Sequence, residues 1–100
     1  MKVVRWKNDN RNGMEDELRK RFEAEGYHCT TYTYPPGTVF PEHRHGADKI
    51  DAVLAGRFRI SIGNESVVLK AGDYIYVPAG VIHRAEVVGS ESVVSLDAAK

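Results

Sequence analysis

The chain has 100 residues, 42% of them hydrophobic, which suits one domain with a modest core. Its 14 basic and 14 acidic side chains cancel, so no net field draws it to nucleic acid or to an anionic membrane. The start M-K-V-V-R-W-K-N-D lacks the apolar stretch of a secretory signal, and no run nears the ~18 apolar residues of a membrane helix. Cys29 stands alone and has no disulfide partner, so a cytoplasmic setting is expected.

In chain order, Val3 to Trp6 reads as a short strand and K-N-D-N-R-N-G as a polar turn. A helix follows. Asn12 is placed to cap it, with Glu15 three residues on completing a capping-box pattern. Met14, Leu18 and Phe22 form one apolar stripe at four-residue spacing, which should lay the helix against one end or side of the rest. Glu15–Arg19, Asp16–Lys20 and Glu17–Arg21 are acid-to-base pairs at the favoured i,i+4 spacing, and Gly26 suits the stop.

From Tyr27 the signal turns to β. Y-H-C-T-T-Y-T-Y is rich in β-branched and aromatic residues and ends at Pro35-Pro36-Gly37. Further strands are expected at 50–54, 57–62, 66–69, 74–77, 82–88 and 92–96, with Gly63-Asn64 as a two-residue type II′ hairpin turn. Strands this short and evenly spaced argue for an all-β barrel or sandwich. The whole chain, 1–100, reads as one domain: an N-terminal strand and helix over 1–26 and a barrel over 27–100.

The chemistry concentrates in histidine. Only four occur, and three of them, His43, His45 and His83, fall in two turn-and-strand stretches. On an extended strand His43 and His45 point to the same side. Imidazole nitrogens are favoured ligands of zinc, iron, copper and nickel. The expectation is that the three meet inside a small barrel and hold one divalent transition ion, whether Fe, Zn, Ni, Mn or Cu. His28 lies outside these stretches and should be exposed; Cys29 reads as a small core residue.

These stretches resemble the two motifs of the cupin family. Gly37, His43, His45 and Gly56 fall at the first motif's spacings, and Gly72, Pro78, Gly80 and His83 at the second's. Val87 occupies the place where the second motif often has Asn. The resemblance implies an antiparallel jelly-roll (double-stranded β-helix) barrel with the histidines in its lumen and one added N-terminal α-helix. It also implies a small-molecule ligand and a homodimer.

One departure matters. Lys49 stands where the first motif has a glutamate, often a fourth ligand, and it shares the parity of His43 and His45, so an uninterrupted strand would point it into the same lumen. An ammonium ~5 Å from a dipositive ion at an effective dielectric of ~20 is repelled by roughly 6–7 kcal/mol. Lys49 must then lose its proton, pair with Asp51, reach solvent, or share an anion with the metal. Asp51 is also a candidate replacement ligand, although it lies ~6.5 Å further along a strand. Asp48 has the opposite parity and should face outward. Lys49, Asp51, Tyr32 and Tyr34 are the candidate substrate-binding residues, with Phe40, Val53, Phe58, Val81 and Val87 as apolar wall. Three functions fit: a metal-dependent enzyme, dioxygenase- or isomerase-like, on a small anionic organic substrate; a non-catalytic ligand-binding or sensor cupin; or a metal-free barrel. No helix-turn-helix or basic recognition helix is present, so DNA binding by that route is not expected.

Overall fold

Two-residue alternation in the strands decides the architecture, because it gives each sheet one face that must be covered. The computed structural model describes residues 1–8 and 10–100. Its elements are β1 (Lys2–Val4), α1 (Met14–Ala24), β2 (His28–Tyr34), β3 (Val39–His43), β4 (Lys49–Ala55), β5 (Arg57–Ile62), β6 (Glu65–Leu69), β7 (Tyr74–Val77), β8 (His83–Val88) and β9 (Val93–Ala99). They form two antiparallel sheets, ordered β1-β7-β4-β9-β2 and β3-β8-β5-β6. This is the expected all-β barrel with one helix.

The five-stranded sheet is covered on both faces. Ile50, Ala52, Leu96 and Ala98 point outward and meet Met14, Leu18, Phe22 and Cys29. The helix therefore packs on the side of the barrel. Burying such a stripe stabilises by about 1.5–3 kcal/mol per large side chain. On the other face Val53, Ile75, Val77 and Val93 meet Phe58, Ile60, Leu69, Ala85 and Val87 of the second sheet. The odd-numbered residues of β4, among them Lys49 and Asp51, share the parity of Val53 and so face the lumen.

Three expectations about the helix meet different fates. All three i,i+4 ion pairs form: Glu15–Arg19 at 3.4 Å, Asp16–Lys20 at 3.9 Å and Glu17–Arg21 at 2.9 Å. At the C-terminus the amides of Gly26 and Tyr27 donate to the carbonyls of Glu23 and Phe22, the Schellman arrangement. The cap at the other end is not Asn12. Gly13 is the N-cap and no side chain among the described residues caps the helix; the Asn12 backbone amide instead donates to Asn10 Oδ1. Consecutive Asn-x-Asn turns compete locally with the capping box.

The turn at Gly63-Asn64 is as expected. Gly63 has φ +57 and no non-glycine residue among those described has positive φ, which fits type II′ and rules out type I′. Gly72 is fixed by crowding, since a Cβ there would stand 2.4 Å from the Trp6 ring. Beside it, buried Asp73 accepts from Arg5 Nη1 at 2.7 Å, the Trp6 amide at 3.1 Å and the Lys70 amide at 3.0 Å, tying the N-terminal segment to the barrel. Among the described residues no helix is long and apolar enough to cross a membrane.

Candidate metal centre

His43 closes β3 and His83 opens β8, and the two stand directly opposite each other in the antiparallel ladder. That register, not proximity in sequence, brings the two motifs together. A register shift lies between Phe40 and His43, and β3 ends at His43. His45 therefore belongs to the following loop rather than to one continuous strand. Its ring still converges: centroids lie 4.2 Å apart for His43 and His83, 4.8 Å for His43 and His45, and 5.2 Å for His45 and His83. One nitrogen from each ring falls within 4.8 Å of the others.

Backbone carbonyls set the tautomers. His43 Nδ1 lies 2.8 Å from the Pro41 carbonyl, and His83 Nδ1 lies 2.9 Å from the Val81 carbonyl. A carbonyl only accepts, so each Nδ1 carries the proton and each Nε2 keeps its lone pair. Both rings use the same device, a carbonyl two residues earlier. Burial lowers the proton affinity of His83, although the Val81 carbonyl opposes it; His43 and Lys49 lower it further. Burial also lowers that of His45, helped by Lys49, His43 and His83. Neutral imidazoles with Nδ1 occupied are the form a transition ion requires, so the donor set fits such an ion.

Facing the histidines is a cavity of about 340 Å³ lined by Tyr34, Phe40, His43, His45, Lys49, Asp51, Phe58, His83 and Asp97, among others. Lys49 points into it, as its parity suggested. It does so, however, as the first residue of β4 on the opposite sheet, after a loop that breaks the assumed continuous strand. The Lys49–Asp51 pair, one of the four escapes open to Lys49, does not form. Lys49 Nζ donates to Asp97 Oδ2 at 2.7 Å. Lys49 stands opposite Ala99, so Asp97 is its diagonal neighbour across the β4–β9 ladder, at a separation of ~7–8 Å that a long lysine side chain can span. Asp51 stands directly opposite Asp97 in the β4–β9 ladder. Burial, then the charge of Asp97, pushes the Asp51 carboxyl up to about 7 against the pull of Lys49. Asp51 is not a member of the histidine cluster.

Tyr34 lines the cavity, packed between Phe40 at 4.9 Å and Phe58 at 5.7 Å, and burial and the two aspartates push its hydroxyl up to about 12. Tyr32 stacks on Tyr34 but is 45% exposed and does not line the cavity. Of the expected apolar wall, Phe40 and Phe58 face the cavity, while Val53, Val81 and Val87 pack in the core around it. Asp48 is exposed, as expected, and accepts from the Ala79 amide at 2.8 Å; His28 is exposed. Asp97 was missed. The only sequence signal for it is its two-residue offset from Ser95 in a strand that runs on past Leu96.

Residues 30–98 match the Cupin_2 family, described as a cupin domain. The chain belongs to the cupin family. This cupin is 36% identical over 67 residues to the uncharacterized protein SCO3923 of Streptomyces coelicolor, covering 67% of the chain and 60% of the relative. The match thus spans less than two thirds of that relative's length. Among solved structures the cupin resembles the SPY1581 protein of unknown function from Streptococcus pyogenes, with 25% identity and TM-score 0.64, covering 71% of this chain and 60% of that one. It also resembles KdgF from Halomonas sp., with 25% identity and TM-score 0.63, covering 71% and 66% respectively.

Proposed function

We propose that this cupin is a metal-dependent enzyme, dioxygenase- or isomerase-like, acting on a small anionic organic compound. His43, His45 and His83 would hold the divalent ion. The observation that carries this reading is the pair of Nδ1–carbonyl contacts at His43 and His83, which leave two Nε2 lone pairs free beside the third ring. Such an ion polarises a carbonyl or carboxylate oxygen of a bound compound. Three neutral ligands leave its double charge uncompensated, which favours an anion. The protein's own residues do the rest. Phe40, Phe58 and Tyr34 form an apolar wall that limits water around the compound. Lys49 is held at the cavity wall by Asp97 and offers a donor to an anionic group. Homodimer formation and a cytoplasmic setting belong to the same reading.

The test is elemental analysis of untagged protein, followed by assays of the Fe(II)- and Zn(II)-loaded forms on thiols, diketones and 2-oxo acids. Oxygen uptake and NMR of the products are the readouts. About one equivalent of metal and turnover of one class are expected. Ligand-induced stabilisation without any product would replace this reading with that of a binding cupin.

A further inference from the structure

The two aspartates of the cavity have a hydrogen-bonding imbalance that the metal centre does not explain. Asp97 Oδ2 receives the Lys49 ammonium at 2.7 Å. Asp97 Oδ1 is buried and has no hydrogen-bond partner among the described residues. Directly across the ladder, on the same face, is the carboxyl of Asp51. Opposed side chains of this kind have Cβ atoms about 4.5–5.5 Å apart, within reach of a carboxyl–carboxylate hydrogen bond.

Consider the charges that face Asp51. Its own strand supplies Lys49, and β9 supplies Asp97. From β2 comes the Tyr34 hydroxyl, from the facing sheet come His43 and His83, and from the loop after β3 comes His45. On β7 the opposite residue is apolar Ile75. Two carboxylates thus share one ammonium in a partly buried wall. A single proton removes the surplus charge. Placed on Asp51 and directed at Asp97 Oδ1, it also satisfies the orphaned oxygen. The upward shift of the Asp51 carboxyl agrees with this arrangement.

The geometry points to Asp51 and Asp97 as a proton-sharing carboxyl pair that serves as the acid–base group for a compound bound against the three histidines. Asp51 is the member that exchanges the proton; Asp97 and Lys49 position it. The compound class is a small carbonyl compound with a C–H next to the carbonyl. Loss of the shared proton to solvent frees the Asp51 carboxylate; the C–H bond of the bound compound then breaks, its proton passes to that carboxylate, and the electron pair moves into the carbonyl group. Return of the proton to a different atom completes an isomerisation, and no oxidant or reductant enters. This rests on the metal reading above and selects its isomerase form.

Two measurements test the pair. The first is 13C NMR titration of aspartate side chains in the metal-free protein, assigned with Asp51→Asn. Asp51 should titrate near neutrality, and its midpoint should fall in Asp97→Asn. The second is deuterium uptake by pyruvate, acetoacetate and dihydroxyacetone with zinc-loaded protein. At least one probe should exchange tenfold or more faster with the wild type than with Asp51→Asn, while zinc affinity differs by less than about threefold. An Asp51 that titrates with ordinary carboxylates, or exchange unchanged by Asp51→Asn on every probe, overturns the proposal. The two readings fail separately. A wild type that binds no zinc while Asp51 still titrates near neutrality sinks the metal centre and leaves the carboxyl pair; zinc binding with an ordinary Asp51 does the reverse.

Discussion

The two walls of the lumen are built in opposite ways. The wall of β3, the loop after it and β8 carries three imidazoles, two of them fixed by a carbonyl two residues earlier in the same chain segment. Its orientation is local, and only the β3–β8 ladder is needed to bring the halves together. The wall of β4 and β9 carries Lys49, Asp51 and Asp97, whose partners are set by a ladder that brings Lys49 to Asp97, 48 residues along the chain. Local devices prepare one wall as neutral donors. Long-range register gives the other a charged network with more acid than base. The difference separates a donor set positioned to hold an ion from the proposed acid–base pair.

That separation can be broken by substitution. The largest effect should come from His83→Ala, which removes a proposed ligand and is expected to weaken zinc binding on the order of 10³-fold, or about 4 kcal/mol, by calorimetry. Asp97→Ala should leave zinc affinity within about threefold, because no ligand is touched. Loss of zinc binding in Asp97→Ala would merge the two walls into one unit.

The next effect is on stability. Asp97→Ala strips the mostly buried Lys49 ammonium of its partner, and Asp51 recovers only part of the contact. A loss of about 2 kcal/mol is expected from denaturant unfolding. Lys49→Met in the same background should restore much of it. A double variant as unstable as Asp97→Ala would contradict the account of the ion pair.

A further effect is a pH dependence. The folded-state pKa of Asp51 is raised from 3.8 to about 7, so the stability linked to its neutral form is present in acid and lost as pH rises through that interval. Asp51→Asn fixes the neutral form. Relative to the wild type, metal-free Asp51→Asn should therefore gain in Tm between pH 5 and pH 8. A constant or shrinking difference would place Asp51 among ordinary carboxylates.

The same contrast explains what could be read from the sequence. The histidine wall was legible because its signals are local: His-x-His, a Pro-x-Gly turn before His83, and glycines at the reversals. The barrel was legible from strand alternation, and the helix from the Met14, Leu18 and Phe22 stripe. The acidic wall was only half legible. Parity put Lys49 and Asp51 in the lumen, but the partner of Lys49 depends on which strand lies beside β4. Nothing local announces that β9 does, or that it continues to Ala99. The cap was misread for a related reason. Asn12 has the right residue type, yet the preceding asparagine turns claim its amide and Gly13 takes the cap position.

The central claim is that one ion sits on the histidine wall and none on the acidic one. Anomalous diffraction from crystals soaked in zinc tests it directly. The account predicts a single strong peak at about 2.0–2.1 Å from one nitrogen each of His43, His45 and His83, through Nε2 for His43 and His83. A peak bound through Nδ1 of either ring, a peak on Asp51 or Asp97, or no peak between the three rings would contradict it.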